Sequence, residues 1–251
     1  MRLLTGIGAR ILPAQPLLTA RVLSETKHMV GLEIGGPSRV FNRGKILPVY
    51  PSAARIDNVN FASATAWESG LRDGGTFMIG SSKIEGRQYL REAVHLKDLP
   101  NTPYDFILSS HCLEHVANPL AALFEWRRVT RDNGHLILIL PNPSDTFDHR
   151  RPLTTLEHLR KDFADQRAED DLSHLPEILS LHDLARDPHA GSPQQFRTRS
   201  ERNFENRCLH HHVFDFELIR AMLNDAGWDV LETEYARPMH LIAFAKKGML
   251  A

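Results

Sequence analysis

The sequence predicts an α/β fold: a doubly wound, mostly parallel sheet with an antiparallel last strand and a helical insertion over its ligand edge. Three observations carry this. Short apolar runs such as Met29–Ile34 and His135–Leu140 stop at Gly or Pro, as strands buried on both faces do. Amphipathic stretches of helical length alternate with them, the sign of parallel strands joined by crossovers. A charged, His-rich stretch over 144–212 breaks the alternation before it resumes.

Taken in order, residues 1–28 suggest a short N-terminal helical extension to a domain spanning 29–251. The first strand runs through Met29–Ile34 into the turn Gly35-Gly36-Pro37-Ser38. A second extended stretch occupies 46–61 and carries Asp57, with Pro48 and Pro51 making it irregular. Residues 62–88, with Gly70, Gly74, Gly75, Gly80 and Gly86, suggest loop and short helix, and 90–97 a third strand. Phe106–Leu108 is a strand. Asn118 then caps a helix with Pro119 at its first position, and Leu120, Leu123, Phe124 and Val129 form its apolar face. Asp132-Asn133-Gly134 ends that helix. In the insertion, helical patterns lie near 154–168 and 172–186. Phe214–Ala226 is an amphipathic helix closed by Gly227. Trp228–Glu234 and Leu241–Lys246 form a strand pair whose connection is too short for a crossover, so it is antiparallel.

The bulk properties narrow the function. A chain of 251 residues that is 42% hydrophobic can bury a sizeable core. A formal charge of -1 gives no global attraction for nucleic acid or an anionic membrane, and no basic stripe with interleaved aromatics is present. The two cysteines, Cys112 and Cys208, give neither a disulfide framework nor zinc-ligand spacing. No apolar run approaches the roughly 18 residues of a membrane span, and Met1–Val30, interrupted by Arg10, Pro13, Pro16 and Arg21, does not read as a signal peptide. A cytoplasmic protein is expected.

Two positions suggest an adenosine site. Gly35 and Gly36 follow a strand, where a missing Cβ lets backbone approach a ligand, and Glu33 at the strand end suits a cationic ligand or an ordered loop. Asp57, about 22 residues after Gly35, stands where a carboxylate typically accepts from a ribose diol. The full G-x-G-x-x-G pattern of dinucleotide enzymes is missing.

The segment Tyr104-Asp105-Phe106-Ile107-Leu108-Ser109-Ser110-His111-Cys112-Leu113-Glu114-His115-Val116, with Asn118-Pro119 and the helix and strand through Gly134 to Pro141, resembles the central stretch of class I, Rossmann-like S-adenosylmethionine-dependent methyltransferases of the type 11 kind. The resemblance implies S-adenosyl-L-methionine as cofactor. It places Gly35, Gly36, Pro37 and Ser38 beside its methionine and ribose and Asp57 on the ribose hydroxyls. His95 and Leu96 would lie near the adenine, and Ser110 and His111 near the sulfonium. His95 departs from the family, many members of which carry Asp there.

The insertion faces the expected acceptor. Asp148 or His149 would take its proton, with His149 the leading base and His111 a further candidate, and Arg150 or Arg151 would hold an anionic group. His210-His211-His212 cannot all face one ion from an extended segment, so no metal is expected. Glu169-Asp170-Asp171 suggests a solvated helix start, and His115 a structural role. The function expected is methyl transfer to a small-molecule acceptor, an O-methylation of a sugar or related, even anionic, metabolite, with no nucleic-acid or membrane partner. Two alternatives stay open: a catalytically inactive S-adenosylmethionine-binding protein, and a nucleotide-dependent oxidoreductase. The oligomeric state is not legible.

Overall fold

The computed structural model describes residues 15–79, 82–99 and 103–249. The first half of the expected N-terminal extension, residues 1–14, and Gly80 lie outside them. One eight-stranded sheet organises the chain. Its strands are β1 (Val30–Ile34), β2 (Arg55–Asn60), β3 (Thr76–Ile79), β4 (Ser82–Leu90), β5 (Tyr104–Ser110), β6 (Thr130–Pro141), β7 (Trp228–Ala236) and β8 (His240–Lys247). Their order in the sheet is β3-β4-β2-β1-β5-β6-β8-β7. The five strands β4, β2, β1, β5 and β6 are parallel neighbours. β8 pairs antiparallel with both β6 and β7, and β3 pairs antiparallel with β4. The doubly wound architecture and the antiparallel closing pair are as the sequence predicts.

The pleat sorts the apolar residues onto two faces. Leu32, Ile34, Ile107, Leu136, Leu138 and Leu140 join the core on one side. Ile56, Phe106, Leu108, Ile137 and Ile139 join the core on the other. Over the first face lie α2 (Pro119–Val129) and α7 (Phe216–Asp225), through Leu120, Leu123, Ile219 and Met222. Asn118 caps α2 as expected, its side chain accepting from the Ala121 N–H at 3.1 Å. The second face is covered by α1 (Thr19–Thr26) and by the irregular segment that buries Phe41, Leu47 and Val49. The β1–β2 connection therefore covers its face with turns and one short helical turn, Arg39–Phe41, rather than a crossover α-helix.

Two expected elements move. The third strand lies at 82–90, not 90–97, and is half of a hairpin with β3 inside the stretch expected to be loop. Residues 46–54 are turns, so the second strand is only Arg55–Asn60. The helix α2 stops at Val129, and Asp132-Asn133-Gly134 lies within the β6 strand, Asn133 taking a positive φ of 61°.

Residues 144–212 fold into α3 (Leu156–Ala164), α4 (Leu175–Leu181), α5 (Pro193–Glu201) and α6 (Asn203–Asn206). They have a small core of their own, Ile178, Ala190, Phe196 and Leu209. Leu159 of α3 instead joins the core beneath α2 and α7, which docks this cap onto the sheet layer.

Candidate active site

A cleft of about 290 Å³ opens at the carboxyl ends of β1, β2, β4 and β5. The chain winds from β1 towards β2 on one side while β5 lies on the other, so the cleft stands at the point where strand order reverses, where open α/β sheets bind ligands. Gly35, Pro37, Ser38 and Arg39 line it from β1, and Asn60 and Phe61 from β2. Arg91, Glu92 and Ala93 follow β4, and Ser110, His111, Cys112 and His115 follow β5. Trp67 stands at the mouth, and Glu169 and Arg207 reach in from the cap.

The glycine turn is shaped by protein, not only by ligand. Gly35 has a φ of 81°, and a Cβ there would stand 2.6 Å from Cys112 Sγ. A Cβ on Gly36 would meet the Glu33 carboxylate at 2.3 Å. Gly35 thus lets the β1 and β5 loops close on each other, and Gly36 makes room for the Glu33 and Asn58 side chains. Glu33 is fully buried and faces the turn rather than the cleft. It accepts from the Tyr50 hydroxyl at 2.6 Å and the Ser38 N–H at 3.1 Å. Burial raises its carboxyl to about 7 against those hydrogen bonds. The Gly36 N–H donates to Asn58 Oδ1 at 3.0 Å, and the Asn58 and Asn60 amides both donate to the Gly36 carbonyl. The turn is thus held rigid from behind.

Four of the expected cofactor positions fall inside the cleft lining beside Gly35: Pro37, Ser38, Ser110 and His111. Three do not. Asp57 sits three residues short of the end of β2, buried, accepting from the Tyr104 hydroxyl and the Arg87 N–H, each at 2.9 Å, and paired with Arg55 at 3.3 Å. The residue at the end of the strand is Asn60. His95 and Leu96 lie beyond the cleft because β4 ends at Leu90, which puts Arg91, Glu92 and Ala93 at its edge instead. Leu96 is fully buried in the core. The acidic group that His95 seemed to lack is supplied three residues earlier by Glu92.

On the acceptor side, His149 does not line the cleft. Its Nε2 is 2.8 Å from Asp183 Oδ2 within the cap. Asp148 is buried and pairs with His210 Nδ1 and with Arg151 Nη1 at 3.0 Å. Burial works to raise the Asp148 carboxyl, but His210 and Arg151 hold it at about 2. Arg151 is itself buried, bonded to Glu177 and to the carbonyls of His210 and His211, and Arg150 pairs with Asp183. These residues assemble the cap and are not free to grip a substrate.

Two cleft-lining imidazoles, His111 and His115, adjoin a residue that does not itself line the cleft, Glu114. It is completely buried and neither carboxylate oxygen has a hydrogen-bond partner. Although burial opposes ionisation, the nearby His111, His115 and His210 hold its carboxyl below the ordinary range. His111 Nδ1 lies 3.6 Å from Glu114 Oε1, and its Nε2 lies 2.8 Å from His240 Nδ1. His115 Nδ1 is 3.0 Å from the Leu209 carbonyl, so that nitrogen carries the proton and Nε2 is the acceptor. Burial, with His210 beside it, lowers His115 to about 4.

Three cleft residues were not legible in the sequence as site residues. Arg207 Nη1 and Nη2 bond the two oxygens of Glu92 at 3.1 and 2.9 Å, and Nη1 lies 3.0 Å from Glu169 Oε2. Glu169 is a buried cleft residue, not part of a solvated helix start, and burial raises it to about 7 despite Arg207. Glu92 and Arg207 are 115 residues apart, and no local spacing announces such a pair.

A nucleotide-type crevice at the switch point of a mostly parallel sheet, closed by an antiparallel pair, defines a Rossmann-like transferase-type domain. Residues 20–233 match the family described as a methyltransferase domain, and the chain belongs to that family. The fold is similar to that of a candidate S-adenosylmethionine-dependent methyltransferase from Listeria monocytogenes, at 14% identity and a TM-score of 0.50, covering 92% of this chain and 96% of that one. It is also similar to a candidate methyltransferase from Bacillus halodurans, at 10% identity and a TM-score of 0.51, covering 92% and 97%. The comparison with curated proteins gives no match. Among the described residues no helix is long and apolar enough to cross a membrane.

Proposed function

We propose that this protein transfers a methyl group from S-adenosylmethionine to a hydroxyl of a small-molecule acceptor, a sugar or related metabolite, in the cytoplasm. The observation that carries the reading is the unpartnered, buried Glu114 carboxylate beside a cleft at the sheet's switch point. A buried negative charge without a hydrogen-bond donor is costly, and a sulfonium cation in the adjoining cleft compensates it. Ser38 and Arg39 take the donor's carboxylate, since Arg39 lines the cleft with no ion pair among the described residues. Asn60 serves the ribose in place of a carboxylate, and Glu92 and Ala93 flank the adenine.

Bound there, the donor supplies a methyl carbon already attached to a good leaving group. The chain's task is chiefly alignment and exclusion of water, and positioning is worth roughly 7–11 kcal/mol in favourable cases. Arg207 draws the cap onto Glu92 and closes the cleft. His111, beside Glu114, receives the acceptor's single proton as its oxygen is methylated, and the carboxylate stabilises the imidazolium formed; His115, lowered to about 4, stays neutral. The residues between acceptor and solvent belong to the 144–212 cap, which is the acceptor-binding unit of a domain spanning 29–251.

The test is mass spectrometry of a metabolite pool incubated with enzyme and isotopically labelled donor. A labelled methyl on a hydroxylated metabolite is the expected product, with turnover falling by about ten- to a hundredfold in Glu114→Gln and unchanged in His149→Ala. Donor binding with no labelled product would establish an inactive binding protein instead.

A further inference from the structure

The cap holds a second cluster of chemistry away from the cleft. His158 and Asp162 lie one turn apart on α3, so they share a face. His174 is the residue that precedes α4, and His212 lies in the extended segment between α6 and α7. Each offers one ligand atom, and the four atoms lie within 4.8 Å of one another. His158 Nε2 is 3.0 Å from His174 Nε2 and 3.2 Å from Asp162 Oδ2, and Asp162 Oδ2 is 3.6 Å from His212 Nε2. A tetrahedron with metal–ligand bonds of about 2.0–2.1 Å has edges of about 3.3–3.4 Å, and these three of the six separations lie close to that.

Internal hydrogen bonding leaves this cluster unsatisfied. His158 and His174 present nitrogens to each other, where one proton serves both. Asp162 is 5% exposed, yet its Oδ2 has no hydrogen-bond partner despite two imidazoles within reach. His212 is 1% exposed and its Nδ1 is likewise unpartnered. Buried polar atoms of this kind call for an explanation, and a cation at the centre gives one. We propose that His158, Asp162, His174 and His212 bind a divalent transition metal of the zinc class, for which three imidazoles and one carboxylate are suitable donors. Four protein ligands leave no open position, so the ion is structural. It joins α3, whose Leu159 packs in the main core, to α4, whose Ile178 lies in the cap's small core, and to the His212 segment. The ion replaces the proton that His212 Nε2 otherwise points at the Ala117 carbonyl, 3.3 Å away, and Asn118, the α2 cap, donates to the Asp162 carbonyl at 3.2 Å. The ion therefore anchors the cap to the chain that leaves the cleft at Val116. The trio Glu114, His115 and His210 also lies close together, but it belongs to the site already described, His115 lining the cleft.

The test is elemental analysis of the full-length protein after incubation with zinc sulfate and desalting, with cobalt(II) as a spectroscopic probe. One zinc per chain and the visible absorption of tetrahedral cobalt are expected. Metal content should fall at least about tenfold in His174→Ala and Asp162→Asn and stay at one in His189→Ala, an exposed control in the same cap. Chelator should lower the melting temperature of the parent and leave that of His174→Ala unchanged. Should a variant fail to fold, the parent's cobalt spectrum alone decides. A parent that retains no metal or gives an octahedral cobalt spectrum overturns the proposal. So does metal retained by folded His174→Ala and Asp162→Asn but lost in His115→Ala.

Discussion

Glu33 shows how a single residue sets the geometry of the donor turn. Its carboxylate binds the Tyr50 hydroxyl and the Ser38 N–H from a site with no solvent, and burial raises it from 4.5 to about 7. A carboxyl whose folded value lies above its unfolded one keeps the native state more protonated between the two. Its contribution to stability is full below about pH 4.5 and is lost as pH rises through about 7. Glu33→Gln removes this loss. Urea unfolding should show the parent losing roughly 2–4 kcal/mol more than the variant between pH 4.5 and 8; equal pH slopes would show that Glu33 is ionised at no cost. At this scale the sequence was partly legible. The Gly35-Gly36 turn, Ser38, Ser110 and His111 sit in the cleft because they immediately follow strands that were read correctly. His95 and Leu96 were misplaced because the end of β4 was, whereas Asp57 lies within β2 and its carboxylate is taken up by Tyr104, Arg87 and Arg55.

At the scale of elements, strand ends were obscured by local chemistry. Pro48 and Pro51 belong to turns that precede β2, yet the apolar residues around them pack as well as a strand would, burying Leu47 and Val49. The β3–β4 hairpin is an edge element flanked by glycines and rich in charge. Such composition suits an edge strand and is indistinguishable, read alone, from a loop. Two of the cap's helices, α3 and α4, were legible in the sequence, but α5 and α6 were not, nor what any of them touch. Arg207 joins cap to sheet layer through Glu92 and Glu169, and its side chain is 8% exposed. Removing one partner of a buried ion pair costs about 3–5 kcal/mol because the other charge is left behind. Arg207→Ala should therefore lower the melting temperature, hasten proteolysis within 144–212 and weaken donor binding. A variant with the parent's protease resistance would mean that the cap is held by its apolar contacts through Leu159 alone.

Across the whole molecule, topology does what no single motif can. Order β4-β2-β1-β5 brings four strand ends together, and each loop that leaves them contributes one part of the cleft: a rigid glycine turn, an amide, a carboxylate, and a pair of imidazoles about a buried charge. The fold class and the position of this crevice follow from the alternation of strands and helices, which local periodicity records. Asp148, His149 and Arg151 were expected at the acceptor because they follow β6. Asp148 and Arg151 instead satisfy each other and the His210–His211 segment, and His149 pairs with Asp183, since a cap with a small apolar core is held together by polar contacts. The most direct test of the account is a crystal of this protein soaked with S-adenosylhomocysteine. The adenosyl group should lie between Phe61 and Glu92, the ribose at Asn60, the carboxylate at Ser38 and Arg39, and the sulfur facing Glu114 across His111. A cleft without ligand at saturating concentration, or a ligand bound with its ribose on Asp57, would contradict it.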